Sequence, residues 1–221
     1  MPNWCDNQLS ITGPNSVIDK IEKIVNDDDS HKENGLLNFF HPMPEELKDT
    51  TAPAPDKTAK DKKIAKARKL EFGADSWYDW RVNNWSTKWE VCEFYGVDRQ
   101  YHSEQSEGES TISFGFSSAW APPINAYEKF IEDNSDCSVR AFYYEGGCDF
   151  MGEWNDGVDD CYTPSDYKST DDFWQDGVGS TLDDLFNITE SMAEYEAQLE
   201  AEKEDVHEYT KGKAMNIGEE I

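Results

Sequence analysis

Apolar and polar positions alternate along Gln8-Leu9-Ser10-Ile11-Thr12 and stop at the turn pair Gly13-Pro14, which predicts a strand with one buried face. Behind a capping Asn15 or Ser16, Val17, Ile18, Ile21, Ile24 and Val25 recur at helical spacing, an amphipathic helix ending near Asn26. Leu36-Leu37-Asn38-Phe39-Phe40 is a short apolar run closed by His41-Pro42-Met43-Pro44, and predicts a second buried strand. Trp85, Thr87, Trp89 and Val91 alternate with Ser86, Lys88 and Glu90, which predicts a third strand with rings on one side and charges on the other. A short helical turn from about Ser76 would lay Trp77 and Trp80 over that ring face. Thr111-Ile112-Ser113-Phe114-Gly115-Phe116 alternates again, Ile124, Tyr127, Phe130 and Ile131 mark a second helix, and Val139, Ala141 and Tyr143 a last strand that runs out at Gly146-Gly147.

In order these elements are strand, helix, strand, strand, strand, helix, strand. That is the split βαβ plan, so the expected fold is α+β: a ferredoxin-like antiparallel sheet with two helices on one face. The expected body covers residues 1–157. Inside it, residues 45–75 change character: Pro53 and Pro55 lead into Lys57, Lys60, Lys62, Lys63, Lys66, Arg68 and Lys69, a basic insertion read as an exposed helix or flexible segment. Residues 158–221 form an acidic C-terminal extension. Met192, Tyr195, Leu199 and Val206 make one stripe of a long helix from about residue 190. The pairs Glu190 with Glu194, Glu196 with Glu200 and Glu204 with Glu208 repel along that helix, each costing roughly 0.2 to 0.5 kcal/mol, so its stripe is expected to dock on something.

Charge narrows the function. Over 221 residues the formal net charge is −27, and from Glu153 onward twenty acidic residues face four lysines. Such a chain repels a phosphate backbone and an anionic leaflet, so direct nucleic-acid binding and membrane binding are not expected. No apolar run approaches a spanning helix and the first residues show no leader pattern, which makes a cytoplasmic location the expectation. Five cysteines fit reduced thiols there. With eight Trp and 13% aromatic residues the chain can nevertheless bury a large core.

Catalytic patterns are missing. There is no HExxH and no CxxC, the spacing of Cys137, Cys148 and Cys161 matches no zinc site, and Gly177-Val178-Gly179 lacks a third glycine, so neither metal nor cofactor is expected. The densest segment is Trp77 to Val91, where Arg81, Asn83, Asn84 and Lys88 sit among four indoles. Stacked rings with polar edges can hold a ligand or partner, and equally can form a core. The candidate binding residues are Trp77, Trp80, Arg81, Asn84, Lys88 and Trp120, with Trp4 and Trp120 able to complete one cluster at the sheet edge. Candidate acidic partner-facing residues are Glu194, Glu196, Glu200, Glu204, Asp205 and Glu208.

Several separated motifs resemble one known family. They are Pro2-Asn3-Trp4-Cys5 with Asn7, Phe40 to Pro44 with Glu45, Trp77-Tyr78-Asp79-Trp80-Arg81 through Trp89, Ala119-Trp120 with Pro122-Pro123, and Tyr144-Glu145 before Gly147 and Phe150-Met151-Gly152. Over residues 1–157 the chain resembles the YubB ferredoxin-like family, small proteins carried by plasmids and bacteriophages. The resemblance implies a ferredoxin-like domain, a mobile-element origin and an intracellular life. The family carries no established reaction, so it implies no catalytic residue. The expected function is that of a phage or plasmid accessory protein that binds a host protein or other macromolecule and modulates it, a counter-defence inhibitor being one form. The alternatives are a nucleic-acid mimic occupying a basic groove, and a small-molecule or nucleotide-binding enzyme or sensor using the Trp-rich pocket.

Overall fold

The computed structural model describes residues 3–27, 35–102, 108–175, 177–198, 201 and 203. The chain divides into two compact units, Met1–Tyr162 and Thr163–Ile221.

The first unit is a mixed α+β body around one open antiparallel sheet. Its strands are β1 Trp4–Pro14, β2 Cys92–Tyr101, β3 Glu109–Ala119, β4 Ser138–Glu145, β5 Phe150–Asn155 and β6 Val158–Tyr162, in the spatial order β2-β3-β1-β4-β5-β6. Strand β1 is the spine: it pairs with β3 from Trp4↔Ala119 to Pro14↔Glu109, and with β4 through Leu9↔Ala141 and Ile11↔Val139. Its alternation buries Cys5, Asn7, Leu9 and Ile11 while Asp6, Gln8, Ser10 and Thr12 face away. Helices α1 (Asn15–Val25) and α6 (Ile124–Asp133) follow β1 and β3 in the chain. Their apolar stripes, Ile18, Ile21 and Val25 with Ala126, Tyr127 and Phe130, enter the same buried cluster as Leu9, Ile11, Phe114, Ala141 and Trp154.

Three sequence expectations are corrected. Leu36–Phe40 is a helix, α2, and not a strand. Its buried residues are Leu36, Leu37 and Phe40, a helical spacing, and the free N–H groups of Leu37 and Asn38 in its first turn are taken by the distant carboxylate of Glu90. The Trp85 to Val91 alternation is not a strand either: Trp77–Trp85 is a helix, α5 in the numbering below, and residues 86–91 are a loop. The strand comes next, as β2, whose two register shifts against β3 and positive φ at Glu93 and Gly96 blur its alternation. The third correction is an added hairpin, β5 and β6, turned by Asp156-Gly157 with φ of 45° and 97°, the conformation that an Asp-Gly pair favours in a two-residue hairpin loop. Strand β6 lies beyond residue 157, where the sequence reading ended the body.

Between α2 and α5 lie α3 (Glu45–Lys48) and α4 (Ala59–Phe72). Helix α4 carries six of the seven basic residues from Lys57 to Lys69, all but Lys57 itself, and has no fully buried side chain. It stands on its own ends: Thr58 and Asp61 form a reciprocal cap, and Gly73 closes it in the left-handed conformation at φ 77°. Asp61, Ala65, Arg68 and Phe72 are its half-buried residues, four positions at helical spacing, and Phe72 packs on the core.

The second unit contains α7 (Thr170–Gln175), α8 (Gly177–Phe186) and a helix, α9, over 188–198. Buried Asp183 organises it, accepting from Trp174 Nε1 at 2.9 Å, Thr189 N at 2.7 Å and Thr189 Oγ1 at 2.9 Å. In the acidic helix Met192 is half-buried and Tyr195 is 61% exposed, so the described residues do not cover Tyr195 of the expected stripe. Glu194 and Glu196 are exposed; Leu199, Glu200, Glu204, Asp205, Val206 and Glu208 lie outside the described residues. No helix among the described residues is long and apolar enough to cross a membrane.

Candidate functional site

The aromatic residues of the first unit gather at the end of the sheet where β1 begins and β3 ends. Local capping sets them there. Ser76 caps α5, accepting from Asp79 N at 3.2 Å and donating to the Asp79 carboxylate at 2.7 Å, so Asp79 is used by its own helix end. The helix stops at Ser86, in the left-handed region at φ 65°, whose hydroxyl accepts from Asn125 N. Thr87, fully buried, donates to the Ala119 carbonyl at 2.7 Å and pins the following loop to the end of β3. Trp120 turns the chain at φ 74°, its N–H donating to the Asn3 carbonyl at 3.0 Å. These bonds bring residues 3–4, 76–90 and 119–120 together.

What results is a ladder of rings and cations. Trp4 stands 6.0 Å from Trp89; Lys88 Nζ lies 3.7 Å from the Trp89 ring centre and 4.1 Å from that of Trp120; Trp120 meets Tyr78 edge-on at 6.4 Å. Tyr78 meets Trp77 at 5.8 Å, Arg81 lies over Trp77 at 5.4 Å and over Trp85 at 4.8 Å, and Trp85 meets Trp80, which meets His41 at 4.9 Å. The ladder runs from water into the core: Trp4, Trp89 and Trp120 are 43%, 36% and 38% exposed, while Trp80 and Trp85 are buried.

All six candidate binding residues from the sequence are in or beside this ladder. Trp77, Arg81, Lys88 and Trp120 are rungs; Trp80 is a core residue at its inner end; Asn84 donates to the Trp80 carbonyl at 2.8 Å and serves the helix. Trp85 and Trp89, expected on one strand face, part company: the first is buried with its Nε1 donating to the His41 carbonyl at 2.8 Å, the second is at the surface.

Glu90 was not singled out from the sequence. It looked like one more outward charge in an alternating strand, and no local signal marks it otherwise. The structure buries it, with Oε1 accepting from Leu37 N at 2.7 Å and Val91 N at 3.2 Å and Oε2 from Asn38 N at 3.1 Å. Burial pushes its pKa up to about 7, against those N–H bonds and the charge of Arg81. The same burial pushes the Arg81 pKa down, with Glu90 opposing, and Arg81 Nε is buried without a hydrogen-bond partner. The inner half of the ladder thus holds a desolvated guanidinium and a desolvated carboxyl, each within the other's electrostatic influence, and the outer half is an exposed aromatic surface around one lysine. Elsewhere on this unit a groove of about 500 Å³, lined by Lys20, Lys23, Ile24, Phe39 and Pro42 among others, touches none of the ladder.

No family model matches the chain, and no curated protein matches it. Among solved structures it is similar to protein api92 from Yersinia pseudotuberculosis, described with the family model DUF1281, at 12% identity and a TM-score of 0.38, over 75% of this chain and 96% of that one.

Proposed function

We propose that this chain is a non-catalytic accessory protein of the YubB ferredoxin-like kind, carried by phages or plasmids, that binds a host protein in the cytoplasm and modulates it through the aromatic end of its sheet. The observation that carries the reading is the trio of exposed indoles, Trp4, Trp89 and Trp120, gathered around Lys88. Exposed apolar patches mark interaction sites, and Trp is among the residue types that dominate binding energy at protein interfaces. The ferredoxin-like part of the reading is supported by the order β2-β3-β1-β4, with α1 and α6 as the crossing helices, which is the split βαβ arrangement; β5 and β6 then extend it.

Tagged protein recovered from host or infected cells, with mass spectrometry of what it retains, tests the reading. Trp4→Ala with Trp120→Ala should lose the retained host protein while keeping its melting temperature within a few degrees. Retention undiminished in a folded variant overturns the aromatic interface. A second reading, mimicry of nucleic acid, is supported by the exposed Glu190, Glu194 and Glu196 on α9 and the overall −27. It predicts binding that weakens with salt and is competed by DNA. The third, a base- or nucleotide-stacking pocket, has less support, because a chain of net charge −27 repels a ligand that carries phosphate.

A further inference from the structure

We propose that the place between Trp89 and Trp120 is a binding site for an ammonium or guanidinium side chain of a basic protein partner, filled in this structure by the chain's own Lys88. The inference rests on the aromatic end being the partner-binding surface, and it names the chemistry of what binds there. Lys88 Nζ is 3.7 Å and 4.1 Å from two indole centres, inside the ~6 Å over which a ring face attracts a cation. Trp4 behind Trp89 and Tyr78 beside Trp120 extend the aromatic wall. Among the described residues no carboxylate forms an ion pair with Lys88, although the chain carries 47 acidic residues, so the rings and not a counter-charge hold this ammonium.

The resident cation is replaceable. Lys88 is half-buried, sits in the loop of residues 86–91, and has a flexible four-carbon stem that can carry its charge into water. A chain at −27 draws basic partners toward it from a distance, and a lysine or arginine arriving at this end meets the same ring faces, with exposed indole surface around it to exclude water. An acidic partner would need the Lys88 ammonium aimed outward, whereas it lies against the rings.

The test uses n-butylammonium, a lysine side chain without its backbone, titrated into the full-length protein at constant ionic strength with sodium chloride as the blank. Indole fluorescence and indole N–H shifts report binding. Lys88→Ala removes both the competitor and a like charge, so it should bind the probe at least about tenfold more tightly than the unaltered protein, saturably. Adding Trp89→Ala and Trp120→Ala should abolish that binding. If the alanine variant unfolds, leucine at both positions keeps apolar bulk without a ring face and serves the same arm. Equal affinity in Lys88→Ala and the unaltered protein, or probe binding that survives loss of both rings, overturns the site. Partner capture that needs Trp4 and Trp120 but no gain in Lys88→Ala sinks the cation site alone. A tenfold gain without any captured protein sinks the interface reading and leaves the cation site standing.

Discussion

Replacing Glu90 by glutamine separates its charge from its hydrogen bonds. The carboxyl pKa is about 7 in the folded protein, against 4.5 for an unburied glutamate. Between those values the unfolded chain has lost the proton that the folded chain still holds, so folding takes up a proton. Stability contributed by this group is therefore greatest below about pH 4.5, falls as pH rises through the window, and levels off above about pH 7. The full span is about 3 kcal/mol, from roughly 1.4 kcal/mol per pKa unit. Glutamine cannot ionise, so it lacks that slope, but its amide nitrogen cannot accept from Asn38 N. That loss should cost about 1 to 3 kcal/mol at low pH. The two stability curves should therefore cross or converge: the variant is weaker near pH 4.5 and closes on, or passes, the unaltered protein by pH 7.5. Urea unfolding at half-unit pH steps measures this, followed by tryptophan fluorescence, which reports the first unit because seven of the eight indoles lie in Met1–Tyr162. Other carboxylates titrate alike in both proteins and cancel in the difference. Parallel curves from pH 4.5 to 7.5 would refute the reasoning, since Glu90 would then carry no shifted proton.

The two indoles that the sequence placed together should behave apart: Trp85→Ala should cost about 3 to 5 kcal/mol and Trp89→Ala about 1 kcal/mol, since the first is 1% exposed and the second 36%. Equal shifts in thermal melts would contradict this burial. In the second unit a Cβ on Gly179 would meet the Phe173 carbonyl oxygen at 2.1 Å, so Gly179→Ala should force α7 and α8 apart and lower far-ultraviolet helicity; an unchanged spectrum and melting curve would show that the close approach is not needed. All five thiols are unpaired; Cys148 and Cys161 are exposed, whereas Cys5 is buried and its pKa is pushed well up by burial. A thiol reagent should label Cys148 and Cys161 quickly and Cys5 only on unfolding, and early modification of Cys5 would place it outside the core. The repelling glutamates at 190 and 194 on α9 predict that helicity rises as sodium chloride is added from about 10 mM to 150 mM, and a flat or falling response would remove that account.

Elements whose pattern is closed within one strand or one helix were legible in the sequence. The alternation of Leu9 and Ile11, that of Ile112 and Phe114, and the stripes of α1 and α6 each depend on which residues sit two, three or four positions apart, and burial followed the pattern. The basic segment of residues 45–75 has no such apolar stripe, so its sequence left an exposed helix and a flexible segment equally open; the Asp156-Gly157 pair is a local hairpin signal. Charge and the crowding of indoles between residues 77 and 91 were enough to mark the segment that became the ladder.

Only the tertiary structure decided the rest, because the deciding partners are distant in the chain. Whether residues 36–40 extend or coil turns on a carboxylate more than fifty positions away, which supplies the acceptors that a five-residue helix cannot find within itself. Whether Trp85 to Val91 is a strand turns on the reversed backbone at Ser86 and on the Thr87 bond to Ala119, which commit the loop to the end of β3 before any ladder partner is reached. The same bond carries Lys88 and Trp89 to Trp120 and Trp4, so a lysine that reads in sequence as an outward charge ends with its ammonium between two rings. Periodicity records which face of a segment is apolar. Which distant group satisfies a buried donor, acid or cation is decided by packing, and at this end of the sheet that choice makes the site.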